Sequence, residues 1–303
     1  MIAHQFALIK REFWEHRSVW VVPAVIALIV CLATLAGETI LAGYDEAVDL
    51  AIAAASAASD FHRQGALTVA LSTMMIPFAI GAGIVMIFYS LDSLYSERKD
   101  KSILFWRSLP ITDAETVISK SLTLFLVIPA AALLGAFSAH LLSMVISSVW
   151  VFAEGGSPGH LIWSSAPVFD VWGASILVAL AVTIWLSPFF GWFIFVSAYT
   201  RRMPLLMAIL TPVIILFIEQ FLPVSFFYRA LEHRFTSMPA EGIALHFDFD
   251  DGKLTQLTES EVNNMINVDL SGFFASPSVW AGILVCGLFI AAAVYVRRYK
   301  DET

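Results

Sequence analysis

The chain has 303 residues, of which 59% are apolar and only 14% are charged, and its mean hydropathy is +0.80. A soluble domain has roughly 45–50% apolar and about 25% charged residues, so this composition excludes an ordinary soluble protein and indicates several membrane crossings. The formal net charge of −8 offers no basic surface for nucleic acid. Cys31 and Cys286 both lie in apolar runs and are interpreted as small core residues rather than as a disulfide.

The N-terminal segment, residues 1–18, predicts a helix lying along the membrane interface. Ile2, Phe6, Ile9 and Phe13 recur at helical spacing, and charged residues occupy the positions between them. A charged extension without contact to lipid is the alternative. No cleavable signal peptide is apparent, so the first apolar run is interpreted as a retained span.

Six runs are long and apolar enough to cross a bilayer, which takes about 20 residues. They lack the alternation of barrel strands and therefore predict helices. The six predicted spans are Val19–Ala36, Leu67–Leu91, Ser121–Val151, Val171–Ala198, Met203–Leu222 and Val279–Val296. Pro77, Pro129, Pro188 and Pro212 lie within spans two to five and predict kinks there.

Thirteen of the 17 Lys and Arg residues fall in four clusters beside these runs. Basic residues gather on the cytoplasmic side of a membrane, and six spans place all four clusters on one side. The sequence therefore predicts that both termini and Lys101 are cytoplasmic, while Arg63, Gly156 and Asp251 are external. The clusters are Lys10, Arg11 and Arg17; Arg98, Lys99, Lys101, Arg107 and Lys120; Arg201 and Arg202; and Arg297, Arg298 and Lys300.

The cytoplasmic loop between spans two and three, residues 92–120, carries the most specific pattern in the chain. Apolar and charged residues are mixed as in an amphipathic helix, and Pro110 ends that helix. Thr112 and Glu115 form a capping box that starts a new helix running into span three. A partner pushing on this loop would move span three. The alternative is a helix resting on the lipid surface, anchored by Trp106.

At this loop the sequence resembles the ABC-2 family of ABC-transporter permeases. Members carry a Glu-Arg pair after the second span, a short apolar stretch, a Ser-x-Pro turn, and a helix with Glu and a terminal Lys entering the third span. The family often has Gly-Thr where this chain has Lys101-Ser102, and a basic residue where it has Asp113. The matching residues are Glu97-Arg98, Ile103-Leu104-Phe105, Ser108-Leu109-Pro110, Glu115 and Lys120.

The resemblance implies the permease subunit of an ATP-driven exporter in the bacterial cytoplasmic (inner) membrane, with the loop as a coupling helix. It implies two copies of a separate ATPase, which would carry ATP and Mg, and a second permease, identical or related. The chain has no Gly-x-x-x-x-Gly-Lys-[Ser/Thr] phosphate loop, so we expect neither enzymatic activity nor a cofactor in it. The residues that the resemblance assigns to the ATPase contact are Glu97, Arg98, Lys101, Ile103, Phe105, Trp106, Leu109, Pro110 and Glu115.

Two polar residues near or within predicted spans are candidates for a substrate path. His140 lies well inside the third span and Glu219 lies near the outer end of the fifth. The structural alternatives are a packed, hydrogen-bonded His140 and a Glu219 that reaches toward the interface. The sequence does not specify a substrate, although aromatic-rich spans suit an amphipathic or apolar one.

The largest external loop, residues 223–278, predicts a small β-hairpin. Polar and apolar residues alternate in His246–Asp250, and Asp251-Gly252 is a hairpin turn signal. A calcium site is the alternative, but a full twelve-residue loop with its terminal glutamate is missing. The predicted fold is thus a single all-α integral membrane domain with six transmembrane helices, an interfacial helix, a coupling helix and this external region.

Three other functions compete with transport driven by a separate ATPase. A non-transporting membrane anchor or assembly factor fits the same spans. A secondary transporter would usually show paired buried charges and inverted repeats, and the sequence shows neither. An intramembrane metalloprotease would need a pattern such as His-Glu-x-x-His, which the chain lacks.

Overall fold

The computed structural model describes residues 2–41, 43–102, 111–223, 225–237, 243–245 and 266–299. This part of the chain is almost entirely helical. Two π-helical segments, π1 (Thr123–Val127) and π2 (Gly159–Trp163), interrupt or follow the α-helices. The α-helices are α1 (Ile2–Glu15), α2 (Ser18–Leu41), α3 (Asp45–Ala57), α4 (Asp60–Asp92), α5 (Tyr95–Lys99), α6 (Asp113–Leu122), α7 (Ile128–Ala153), α8 (Val168–Trp185), α9 (Ser187–Tyr199), α10 (Pro204–Glu219), α11 (Phe226–Thr236), α12 (Leu270–Ala275) and α13 (Pro277–Tyr299).

Five helical stretches in the described residues are long and apolar enough to cross a membrane. They are Ser18–Ile40, Asp60–Lys99, Asp113–Ala153, Val168–Trp185 and Pro277–Tyr299. A sixth crossing results if the bent pair α9 and α10 is counted as one span. The prediction of a multi-pass helical membrane protein is therefore confirmed.

The predicted fourth span, Val171–Ala198, is not one helix but two, because the chain breaks at Leu186 between α8 and α9. Pro188 lies in the first turn of α9, where its missing N–H is tolerated. The chain then turns by 119° between α9 and α10. The turn contains Met203, whose φ of 51° is left-handed.

The helix ends define two ends of the bundle. We call one the basic end: there Arg98 donates to Thr200 O (2.8 Å) and Arg297 contacts Glu97 (2.7 Å). At the opposite end, Arg63 donates to Ala58 O (2.6 Å) and lies 3.4 Å from Ser165 Oγ. The stretch from Ser165 to Thr200, which contains α8 and α9, therefore connects the two ends of the bundle.

The core lies where α2, α4, α7, α9 and α13 meet. Small residues allow the backbones to approach closely, as is usual between membrane helices. At Gly191 in α9, a Cβ atom would lie only 3.0 Å from Cys286 Cα in α13. Ala136 and Ala139 of α7 are fully buried and face Phe78 of α4. The two cysteines are free, as predicted.

Helix α6, the segment π1 and helix α7 form one continuous helix of 41 residues, Asp113–Ala153. The predicted capping box is confirmed at its start: Thr112 N donates to Glu115 Oε2 (2.9 Å) and Glu115 N donates to Thr112 Oγ1 (3.2 Å). The helix widens at π1, just before Pro129. A π-helical turn of this kind accommodates a local irregularity without ending the helix.

In the region after α10, helix α11 packs against the break between α8 and α9. Trp185 Nε1 donates to Arg234 O (2.8 Å), and the Arg234 guanidinium stacks 4.4 Å from the Trp185 ring and donates to the carbonyls of Trp185 and Ser278. Strands β1 (Ile243–Leu245) and β2 (Ile266–Val268) pair antiparallel, with Ile243 opposite Val268. The predicted hairpin turn at Asp251-Gly252 lies outside the described residues.

Candidate functional site: a buried charge cluster at the basic end

A group of charged side chains joins four helical segments at the basic end of the bundle. We call it the charge cluster and define it as Glu12, Glu97, Asp113, Lys120 and Arg297, which come from α1, α5, α6 and α13. Each segment arrives there for a local reason. The capping box starts α6 two turns before Lys120, and the last turn of α13 presents Arg297.

Lys120 lies between two carboxylates. Its Nζ is 2.8 Å from Glu12 Oε1 and 3.1 Å from Glu97 Oε1. Its side chain is 2% exposed, and those of Glu12 and Glu97 are 1% and 4% exposed. The ammonium therefore holds α1 and the segment after α4 against the start of the 41-residue helix.

Arg297 makes the second set of contacts. Its Nη1 donates to Glu97 Oε2 (2.7 Å) and its Nε donates to Asp113 Oδ1 (2.9 Å). Because Glu97 uses one carboxylate oxygen for Lys120 and the other for Arg297, it bridges the two cations. Arg11 lies at the rim, 3.5 Å from Glu97 Oε1 and 2.9 Å from Glu15 Oε2.

Two further side chains complete the surroundings of Glu12. Tyr89 donates its hydroxyl to Glu12 Oε2 (2.9 Å), and His16 Nε2 lies 3.5 Å from the same oxygen. Burial lowers the pKa of His16 below its ordinary value of 6.5, although the Glu12 carboxylate opposes this change. His16 is therefore mainly neutral near pH 7, and Lys120 is the principal cation facing Glu12.

The charge cluster fixes one arrangement of these helices and contributes little net stability. Taking ions out of water costs several kcal/mol per ion, which close partners roughly offset, whereas removing one partner costs about 3–5 kcal/mol. Buried charge pairs, which the sequence did not reveal, are therefore present. They lie at the basic end of the bundle and not midway along the spans.

Arg98 fixes the same segment to the end of α9. It donates to Ser197 O and Thr200 O, which belong to the last turn of α9 where carbonyls lack helical partners. In return, Ser197 Oγ accepts from the backbone N–H groups of Leu94 and Tyr95, both at 3.0 Å. The predicted coupling segment is thus locked to the bundle on two sides.

The residues predicted to contact an ATPase fall into three groups. The side chains of Glu97 and Arg98 bond within the chain, as described above. Lys101 is exposed, with a left-handed φ of 57°, and Glu115 forms the capping box. Ile103, Phe105, Trp106, Leu109 and Pro110 lie outside the described residues.

The two candidates for a substrate path have partners inside the protein. His140 is fully buried and accepts from Trp172 Nε1 at its Nδ1 (3.1 Å). Glu219 caps the start of α11, because its two carboxylate oxygens accept from the N–H groups of Phe227 (2.7 Å) and Tyr228 (2.8 Å). The structure does not bring these two residues together.

Sequence reasoning missed Glu12, Tyr89 and Arg297 as members of this site. The signal for Glu12 was its position four residues after the buried Leu8, on the inner face of α1. Arg297 was visible only as part of a basic cluster, and nothing local indicated a partner 200 residues away. Glu38, which accepts from Ser147 Oγ (2.5 Å), was also missed.

Comparison of the chain with protein-family models, with curated proteins and with solved structures finds no match. The described ranges also contain no group of three or more His, Cys, Asp or Glu side chains placed to hold a metal ion. The site is therefore defined by its own geometry: a buried, hydrogen-bonded link between the cytoplasmic loop predicted from the sequence and a helix that continues through the membrane.

Proposed function

We propose that this chain is the membrane subunit of an ATP-driven transporter of the ABC-2 type, which exports its substrate with the help of a separate ATPase. The observation that carries the proposal is the charge cluster. It ties the loop after α4 to the start of the 41-residue helix Asp113–Ala153. The resemblance in residues 97–120 supplies the kind of partner that acts on this loop.

The proposed mechanism is mechanical. An ATPase docks on the loop through Phe105 and Trp106, and closure of the ATPase pair on ATP pushes the loop. Because Lys120 and Arg297 both hold Glu97, the push reaches α7 and α13 together. Two permeases, identical or related, would then open a path between them toward the outside of the cytoplasmic membrane.

The clustering of the basic segments at one end supports the predicted orientation. Arg98 contacts Thr200 at the basic end, and Lys120 and Arg297 contact Glu97 there. Arg201 and Arg202 directly follow Thr200. From the positive-inside rule we expect that end to be cytoplasmic, where an ATPase can reach it.

The test is the composition and activity of the complex that this chain forms when it is purified in mild detergent from the cells that produce it. We expect a particle with two permeases and two ATPases, by mass measurement, whose ATP hydrolysis is stimulated by its transported substrate. A chain that purifies alone and supports no ATP-dependent transport in vesicles would overturn the proposal and favour a membrane anchor.

Two sets of variants distinguish docking of the ATPase from transmission of its movement to the membrane helices. Phe105→Ala and Trp106→Ala should weaken ATPase co-purification, because anchors in a pocket carry much of a binding energy. Glu12→Gln and Lys120→Met should leave ATPase bound but reduce coupling of hydrolysis to transport. Lys10→Met, at an exposed position of α1 outside this loop, is the matched control. Unchanged ATPase binding in the Phe105 and Trp106 variants would favour a loop that rests on lipid.

A further inference from the structure

A cavity of about 270 Å³ lies inside the bundle, between α4, α7, α8 and the start of α9. Its lining includes Met75, Phe78, Met86, Ala132 and Phe190. Phe78, Met86 and Phe190 are only 2%, 5% and 5% exposed and form the inner wall of the cavity, which is open on one side. Ile76 at its margin is 44% exposed and marks the side on which the cavity meets the bilayer.

The chemistry of the lining is selective. Every described residue that lines the cavity is uncharged, and most are apolar. An ionised group entering it would lose its hydration without a partner, which costs several kcal/mol or more. The cavity therefore excludes charged ligands and suits an apolar body.

One polar group in the lining is unsatisfied. Ser72 is 6% exposed, and within the described part of the chain its Oγ has no hydrogen-bond partner. Ser175, also in the lining, instead donates to Val171 O (2.7 Å). A buried hydroxyl without a partner costs about 1–3 kcal/mol, so a ligand oxygen that bonds Ser72 would recover that free energy.

The geometry points to a binding site for a small, neutral amphipathic molecule, with an apolar chain or ring and one hydroxyl or carbonyl oxygen directed at Ser72. A cavity of about 150 Å³ holds benzene, and most ligand pockets exceed about 300 Å³, so about 270 Å³ suits a molecule of medium length. An acyl tail of a bilayer lipid fits less well, because it leaves the Ser72 hydroxyl unpaired.

This site goes beyond the proposed transport function, since ligand binding is a property of this chain alone. It holds whether or not an ATPase acts on the basic end. If transport is also correct, the cavity lies beside α7, the helix that the charge cluster would move.

Gly83 provides the decisive variant. It lines the cavity, and a Cβ placed on it meets no heavy atom of the described residues within 4 Å, so Gly83→Leu has room to enter and should fill part of the cavity. Gly173 in α8 is equally open but does not line the cavity, which makes Gly173→Leu the matched control. Melting temperatures of both variants would establish that they are folded.

The experiment uses the purified full chain in lipid nanodiscs and two photoactivatable probes, a diazirine-bearing decan-1-ol and the corresponding decane. Labelled residues are mapped by mass spectrometry. We expect saturable labelling by the alcohol within residues 72–86 or 175–190, displaced by excess decan-1-ol. Gly83→Leu should reduce it at least about tenfold, a loss of about 1.4 kcal/mol or more, while Gly173→Leu leaves it unchanged.

Ser72→Ala tests the polar contact. It should weaken labelling by the alcohol about fivefold, as expected for one hydrogen bond, and leave labelling by the decane probe unchanged. Unsaturable labelling spread over exposed residues such as Ile84 and Phe88, unaffected by Gly83→Leu, would overturn the site in favour of ordinary lipid contact. If the parent protein is not labelled and Gly83→Leu changes the oligomeric mass, a second copy of the chain covers the cavity and the ligand site is overturned.

Discussion

Lys120 and Glu12 lie 108 positions apart in the chain, yet their charged atoms are 2.8 Å apart and both side chains are almost completely buried. The contact joins the N-terminal helix to the start of the longest continuous helix of the described chain. Removing Lys120 would leave the Glu12 carboxylate buried without its principal cation, whereas Lys120 without Glu12 would still contact Glu97.

Lys120→Met should therefore destabilise the protein by about 3–5 kcal/mol, because Glu12 and Glu97 lose the cation between them. Thermal unfolding of the purified protein in detergent measures the effect. Lys99→Met removes an exposed lysine nearby and should change stability by less than about 0.5 kcal/mol. Adding Glu12→Gln to Lys120→Met should cost less than the sum of the single changes, and strict additivity would contradict a direct pair.

Gly282→Ala should be mildly destabilising, because its Cβ would displace the Arg234 guanidinium from its hydrogen bonds to Trp185 O and Ser278 O. The loss of one such hydrogen bond costs about 0.5–1.5 kcal/mol. Gly287→Ala on the same helix is the matched control, since a Cβ there meets no heavy atom within 4 Å. In an Arg234→Ala background the penalty of Gly282→Ala should largely disappear, and its persistence would mean that the guanidinium is not placed against this glycine.

Glu219→Ala should loosen the start of α11, because two backbone N–H groups lose their acceptor. Loss of such a cap costs about 0.5–2 kcal/mol. Hydrogen exchange at the amides of Phe227 and Tyr228 should accelerate, while amides of α9 keep their protection. Glu232→Ala, at an exposed position in α11, serves as the control. Unchanged exchange at both amides would argue against the cap and return Glu219 to the predicted substrate path.

Stability should fall as the pH drops below about 6.5, in part because of His16. Burial lowers the pKa of His16, so the folded protein binds this proton less readily than the unfolded chain. The contribution of His16 is therefore complete above the unfolded pKa of about 6.5 and is lost as the pH falls toward the lower, folded pKa. A plot of melting temperature against pH between about 8 and 5 should be flatter for His16→Gln than for the parent protein. The same slope in both proteins would contradict this contribution of His16.

The orientation of the chain is tested by labelling single cysteines in a background lacking Cys31 and Cys286. Lys101→Cys should react with an impermeant reagent only after the membrane is opened. Asp60→Cys and Ser157→Cys, at exposed positions near Arg63 and Gly156, and Asp251→Cys should react in intact cells. Positive charges next to the spans determine this expectation. Reaction of position 251 only in permeabilised cells would reverse the predicted topology.

Hydrophobic runs and capping chemistry were sufficient to predict most of the fold. A long apolar run satisfies its backbone hydrogen bonds in lipid by forming a helix. The Thr112–Glu115 capping box involves only neighbouring residues, so the sequence is enough to predict it. The break at Leu186 was not predicted as a helix end, because a proline in a span gives a kink or a new helix depending on its tertiary neighbours. Here Arg234 and Trp185 occupy the break.

The candidate site was predicted only in part. The loop was recognised, but Glu97 and Arg98 were expected to face a partner, and in the structure their side chains bond within the chain. Their predicted role in docking stays a prediction. Glu97, Lys120 and Arg297 are brought together by the packing of helices distant in sequence, which no local pattern encodes. The apolar residues predicted to anchor an ATPase lie outside the described residues.

The 41-residue helix Asp113–Ala153 is about 60 Å long at about 1.5 Å per residue, roughly twice the thickness of the hydrocarbon core. Matching of its length to the bilayer therefore cannot set its depth, because thinner and thicker membranes would each enclose a different stretch of the same helix. The ion pairs at Lys120 and Asp113 fix that depth relative to α1 and α13 instead. A membrane that thins or thickens should accordingly change the tilt of the whole bundle and leave the vertical register of these helices intact.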